Sequence, residues 1–177
     1  MGGGKLLLVW QGKPIIRWSV EALRPHVDDL VVVTGAGEDA VRAALAGLDV
    51  RFVSNPHPEA GQGTSIAVGA SALRGETDAV IIALGDQPRV PLDVVPALLA
   101  TWRETDKAIV APVYRGVHGT PVLFAAEVFA ELTAVTGDAG ARGVVAARPE
   151  RVARVPFDRD MPPDVDTPED FARLHVE

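Results

Sequence analysis

Four short apolar runs, at 29–34, 49–54, 79–84 and 108–112, recur along the chain, and amphipathic stretches at 14–23, 38–46, 64–73 and 92–104 alternate with them. The runs are apolar at successive positions rather than at every second one, which marks strands buried on both faces. Strands of that kind, separated by helices, build an α/β fold with a mostly parallel sheet covered by helices. Segments 121–124 and 152–156 read as further strands. Thr167-Pro168-Glu169-Asp170 reads as a helix start. Thr167 supplies the cap, Pro168 suits the first helical position, and Asp170 reaches back from the third. No repeat, low-complexity tract or linker divides the 177 residues, so a single domain over 1–177 is expected.

Charge narrows the partners. The balance of 17 basic and 24 acidic residues, a net charge of −7, argues against nucleic acid, whose phosphate backbone requires a basic surface. It leaves room for one phosphorylated small molecule. There is no cysteine, which excludes disulfides, thiolate nucleophiles and cysteine-based metal centres. No apolar run reaches the ~20 residues that span a bilayer, and the apolar stretch after Lys5 is too short for a signal peptide. No membrane partner is expected, and a cytoplasmic location is.

The run at 79–84 stops abruptly at Gly85-Asp86-Gln87-Pro88. A strand ending this way delivers one carboxylate to the rim of a sheet, where α/β folds bind ligands. An Asp held there suits a hard cation such as Mg²⁺, and Gly-Asp before Pro88 also reads as an ordinary turn. Gly2-Gly3-Gly4-Lys5 offers close backbone approach and a compact positive charge to a phosphate, or is a Gly-rich chain end; it lacks the Walker spacing. Asn55-Pro56 and Gly61-Gln62-Gly63-Thr64-Ser65 form a loop that opens a helix, either a ligand-binding helix start or a capped loop. His118-Gly119 is a candidate substrate contact or a solvated turn. Gly137-Asp138-Ala139-Gly140-Ala141-Arg142 places an arginine in the first turn of a helix, where the dipole disfavours it unless it binds something. In Asp164-Val165-Asp166, alternation puts both carboxylates on one face of an extended segment. Trp10 and Trp18 read as packing residues, and Tyr114 as a candidate for stacking on an acceptor.

In their order and spacing these segments resemble the molybdenum-cofactor cytidylyltransferase family, within the nucleotidyltransferases of Rossmann-like fold. The residues that carry the resemblance are Met1-Gly2-Gly3-Gly4-Lys5-Leu6-Leu7-Leu8, Gly12-Lys13-Pro14, Asn55-Pro56, Gly61 to Ser65, Leu84-Gly85-Asp86-Gln87-Pro88, Gly119 with Pro121, Gly137 to Arg142, and Asp164-Val165-Asp166-Thr167-Pro168-Glu169-Asp170. The resemblance implies a three-layer α/β/α domain of the nucleotide-diphospho-sugar transferase type. It implies CTP, or another NTP, as donor, Mg²⁺ as cofactor, a molybdopterin-type acceptor, and a molybdoenzyme as a maturation partner. It implies catalytic roles for Lys5 and Asp86. Nucleotide contacts would come from Gly2, Gly3, Lys5, Asn55, Gly61, Gly63, Ser65, Gly85 and Asp86. Acceptor contacts would come from His118, Gly119 and Arg142. Asp86 with Asp164 or Asp166 would hold the metal, Asp164 being favoured.

Two departures from the family's pattern matter. Gly119-Thr120-Pro121 stands where the family has Gly-His-Pro. The chain also opens at what resembles the middle of the family's nucleotide loop, so the natural protein is expected to start further upstream. Without the family's first strand, two strand edges inside the sheet are expected to stay unpaired. Alternative readings are a GTP-dependent or other small-molecule nucleotidyltransferase of the same fold, and a non-catalytic cofactor-binding relative. A dinucleotide-dependent oxidoreductase is disfavoured, because no G-x-G-x-x-G lies between a strand and a helix.

Overall fold

The computed structural model describes residues 2–73 and 77–175; Met1, the first residue of the family-like opening, lies outside them. A 3-10 turn at Gly2–Leu7 runs into a tight hairpin of β1 (Val9–Trp10) and β2 (Lys13–Pro14). Gln11 and Gly12 both take positive φ at its tip, the conformation a two-residue hairpin turn requires. The chain continues through α1 (Ile15–Leu23), β3 (Val31–Thr34), α2 (Glu38–Ala44), β4 (Arg51–Ser54), α3 (Gln62–Ser71) and β5 (Ala79–Ile82). There follow α4 (Val94–Glu104), β6 (Ile109–Tyr114), β7 (Val117–His118), β8 (Val122–Ala125), α5 (Phe129–Thr133), α6 (Gly140–Ala147), β9 (Val152–Phe157) and α7 (Pro168–Arg173).

The strands form a parallel pair, β3 with β4, and a larger sheet in the order β5-β8-β6, with β9 parallel to β6 on its other edge. Strand β8 is antiparallel to both β5 and β6. Its direction departs from the parallel expectation for a simple reason: β6 turns back at Arg115-Gly116 through a short connection, and short connections join antiparallel strands. Strands β7 and β8 are two pieces of one returning arm. Val113 faces His118 whereas Val110 faces Leu123, so the register shifts between them, as at a bulge. The shift falls at Gly119–Pro121 and turns Thr120 out of the ladder.

Helices α1 and α3 cover opposite faces. Ile16 of α1 packs with Val32. A Cβ on Gly69 of α3 would lie 3.0 Å from Val33, the next residue along β3, whose side chain points the other way. Ile66 and Ala70 of α3 also pack against the cluster that takes in Val80 and Ile82 of β5, and Ile16 lies against Gly85 just beyond β5. The same two helices thus bridge both sheets. Among the described residues β3 pairs only with β4, and β5 only with β8. All four residues of β5 are half-buried.

The start of α7 forms as its sequence predicts. Thr167 Oγ1 accepts from Asp170 N at 3.1 Å, and Asp170 Oδ2 accepts from Thr167 N at 2.8 Å, a reciprocal capping box. Hydrogen bonds from the Thr167 side chain and backbone hold the Asp170 carboxyl down at about 2. Trp10 and Trp18 are packing residues as expected. The Trp10 indole donates to Leu174 O at 3.0 Å, and the Trp18 indole to Trp10 O at 3.0 Å.

Candidate active site

Three distant segments meet where the chain leaves β5. Leu6 and Leu7 of the 3-10 turn pack into the core beside Val32 and Ile16, and a Cβ on Gly85 would touch Leu6 at 3.5 Å. That anchorage sets Lys5 over Asp86. The third segment, 162–166, runs alongside: Val165 is buried, and its N–H donates to Asp86 O at 3.0 Å. With Val165 turned inward, Asp164 and Asp166 flank it on the side of the turn, as the alternation predicts.

Lys5 Nζ donates to Asp86 Oδ2 at 2.6 Å and to Asp166 Oδ1 at 2.6 Å. Burial alone would lower the Lys5 pKa. The hydrogen bonds and charges of Asp166 and Asp86 outweigh it, and the pKa is raised. The other oxygen of Asp86, Oδ1, is buried and has no hydrogen-bond partner. Such an oxygen is unusual in a folded protein and fits a site that receives a cation. Among the described residues, however, no three His, Cys, Asp or Glu side chains are grouped to hold a metal ion. The expected trio of Asp86, Asp164 and Asp166 is not gathered into a ready-made cage. Lys5 stands between two of its members, and the third is turned to Gln87.

Sequence reasoning gave Gln87 no role, yet its side chain ties the site together. It is 1% exposed. Its Nε2 donates to Asp164 Oδ1 at 2.7 Å and to Pro162 O at 3.4 Å, and its Oε1 accepts from Thr120 Oγ1 at 2.5 Å. Burial, with the neighbouring charges of Asp86 and Asp166, raises the Asp164 pKa, and the Gln87 bond works against that rise. The available signal was a long amide between Asp86 and Pro88 at a strand end, where an exposed side chain would have served a plain turn equally well.

Thr120 belongs to the bulged arm. Its carbonyl accepts from the Tyr114 hydroxyl at 3.1 Å. Tyr114 is buried, stacks on Phe157 with ring centroids 5.4 Å apart, and has its hydroxyl pKa pushed up to about 12 by burial. It is a core residue, which corrects the expectation that it stacks on an acceptor. Gly119 lies flat against it: a Cβ there would sit 2.7 Å from the Tyr114 ring. His118 stays exposed on β7.

The second candidate corner is the loop after β4. Asn55 is buried. Its Nδ2 donates to Thr64 Oγ1 at 2.9 Å and Ser65 Oγ at 3.0 Å, and its Oδ1 accepts from His57 N at 2.9 Å. The amide expected to meet a nucleotide is thus already engaged in shaping the loop. Gly61 has φ +100°, and a Cβ there would lie 2.6 Å from Asp138 Oδ1 and 2.7 Å from Gly137 C. The Gly63 N–H donates to Gly137 O at 2.8 Å. Both glycines therefore serve close packing against 136–138, which also accounts for the motif in that segment. Arg142 is exposed on α6, which packs on α3. It shares this corner, so the three residues assigned to the acceptor divide between two elements.

The molybdenum cofactor guanylyltransferase of Cereibacter sphaeroides is 31% identical over 176 residues, 98% of this chain and 88% of that protein. The bifunctional protein GlmU of Zymomonas mobilis is 32% identical over 109 residues, 60% of this chain but 24% of that longer protein. The manganese complex of Rv0371C from Mycobacterium tuberculosis H37Rv superimposes with a TM-score of 0.85 at 28% identity, covering 99% of this chain and 94% of that one. Residues 1–152 match the MobA-like NTP transferase domain, and the chain belongs to that family of nucleotidyltransferases.

Proposed function

We propose that the protein transfers a nucleoside monophosphate from an NTP to the terminal phosphate of a molybdopterin-type acceptor in the cytoplasm, releasing pyrophosphate, and that the product passes to a molybdoenzyme. The observation that carries this reading is the convergence of Asp86, Asp166 and Lys5 at the end of β5, with one oxygen of Asp86 left without a partner. The donor set is all oxygen, which suits Mg²⁺. Asp86 would hold it with Asp166 rather than with Asp164, because Gln87 already holds Asp164. When bound, the ion supplies neutralisation of phosphate charge and alignment of the reacting phosphates.

The chain's own residues do the rest by position and charge. Lys5 offers its ammonium to the β- and γ-phosphates and to the departing pyrophosphate. The backbone of Gly2 and Gly3 lies one turn away from it on the same 3-10 segment. Gln87 keeps the 162–166 segment in register with the Asp86 turn through Asp164 and Pro162. The rigid Asn55–Ser65 loop offers a shaped surface for the base and ribose. Gly119 and His118 face the acceptor from the bulged arm.

The sequence motifs favour CTP, whereas the relative matched along nearly the whole chain carries the name guanylyltransferase and favours GTP. Pyrophosphate release measured with CTP, GTP, ATP and UTP in turn, with Mg²⁺ and molybdopterin present, decides between them. One base should dominate, and Asp86→Ala should abolish the signal. Release with none of the four, or near-normal release by Asp86→Ala, removes the proposal.

A further inference from the structure

Two carboxylates from opposite ends of the chain share one ammonium. Lys5 Nζ stands 2.6 Å from Asp86 Oδ2 and 2.6 Å from Asp166 Oδ1, so the two oxygens are separated by at most twice that length. A single divalent ion, with bonds to oxygen of about 2.1 Å, spans oxygens up to about 4.2 Å apart, so the pair comes within its reach with at most about 1 Å of closure. An ammonium and a metal ion cannot occupy the place together, since two positive centres would compete for the same oxygens at contact distance.

The ammonium is also an incomplete occupant. It satisfies Asp86 Oδ2 and leaves Oδ1 buried without a partner. A divalent ion that brings its own water shell supplies charge and hydrogen-bond donors that one lysine does not. The backbone under Lys5 is fixed by Leu6 and Leu7 in the core, while its four-carbon stem lets the charged head move.

We infer that Lys5 is a stand-in cation: it holds the place between Asp86 and Asp166 in the ligand-free protein and leaves when a divalent ion enters, so its ammonium reaches the nucleotide phosphates only after the metal is seated. The metal's presence at these carboxylates rests on the transferase reading above, whereas the exclusion concerns three side chains and is tested separately. Its consequence is an order of events. Metal entry and the release of Lys5 are one step, and the acidic pair is never left without a counter-charge.

The whole chain carries three lysines, Lys5, Lys13 and Lys107, so amine acylation followed by peptide mass analysis reads Lys5 with two internal references. Lys13 is paired with Glu21 and Lys107 with Glu150 O. With Mn²⁺ as the probe, Lys5 acylation should rise about fivefold or more as the charge-assisted bonds holding it are released. The rise should follow Mn²⁺ binding measured by electron paramagnetic resonance, with Lys13 and Lys107 unchanged. Lys5→Met should bind Mn²⁺ about tenfold more tightly than wild type, because no resident charge has to be displaced. Mn²⁺ that binds with Lys5 still protected, a Lys5→Met protein with unaltered affinity, or no Mn²⁺ binding to either protein overturns the inference. Transferase turnover measured in parallel separates the two claims: turnover with Lys5 protected throughout removes the exclusion and keeps the reaction, and unmasking without turnover does the reverse.

Discussion

The two corners of the site are built on opposite principles. Around Asn55, every side-chain donor and acceptor of the amide is engaged, and glycines at 61 and 63 let two loops touch at backbone distance. Around Asp86, a carboxylate oxygen is buried without a partner, and the neighbouring positive charge is the ammonium of Lys5, shared with Asp166. The first corner is finished before any ligand arrives. The second is left open, and an open electrostatic arrangement is what a site for a cation and a triphosphate requires. A rigid shape can select a base, whereas charge must be exchangeable to be useful in the reaction.

That contrast can be broken most directly at Asp86. Asp86→Ala should lower turnover about 10³-fold or more, since it removes charge stabilisation at the reacting phosphates, while leaving the thermal unfolding temperature close to that of wild type. A large loss of stability together with activity would place Asp86 among the structural residues instead. The reverse pattern is expected at Gly61. Its φ of +100° and its contact with Gly137 leave no room for a methyl group, so Gly61→Ala should destabilise the fold by about 3 kcal/mol in urea titrations. It should also raise the KM for the nucleotide more than it lowers kcat.

Thr120→Val sharpens the comparison, because it lies on the link between the acceptor arm and the metal side. Removing its hydroxyl leaves the buried Oε1 of Gln87 without a donor, a loss of about 1–2 kcal/mol. Calorimetry should report that loss, and the KM for the acceptor should rise while the affinity for Mn²⁺ is unchanged. The smallest effect is expected at the far end of the 162–170 segment. The Asp170 carboxyl titrates at about 2 in the folded protein, below its ordinary value of 3.8. Its contribution is therefore complete above pH 4 and fades as the pH falls toward 2. The melting temperatures of wild type and Asp170→Asn should differ at pH 6 and converge below about pH 2.

Much of this was readable in the sequence. The abrupt end of an apolar run at Gly85-Asp86, the Asp164-Val165-Asp166 alternation and the Thr167 cap all depend on residues within a few positions of one another, and all three took the local form expected. Gly61 and Gly63 stood out in the sequence as part of a Gly-rich loop, and the structure adds a packing demand at both positions. The neighbour that demands them is Gly137, more than seventy residues away, and local spacing carries no information about it. Tyr114 was misjudged for the same reason: a polar group reads as available until its partners in the fold are known.

By itself, then, the sequence determined the order of strands and helices, the acidic chemistry at the end of β5 and the family, because periodicity, caps and short motifs act through near neighbours. The tertiary structure alone decided that Lys5 sits between Asp86 and Asp166, that Gln87 joins the Asp86 turn to Thr120 and Asp164, and that β8 enters the sheet antiparallel. Each of those depends on which distant surfaces are brought into contact, and burial turns such a contact from one of many weak options into a fixed partner.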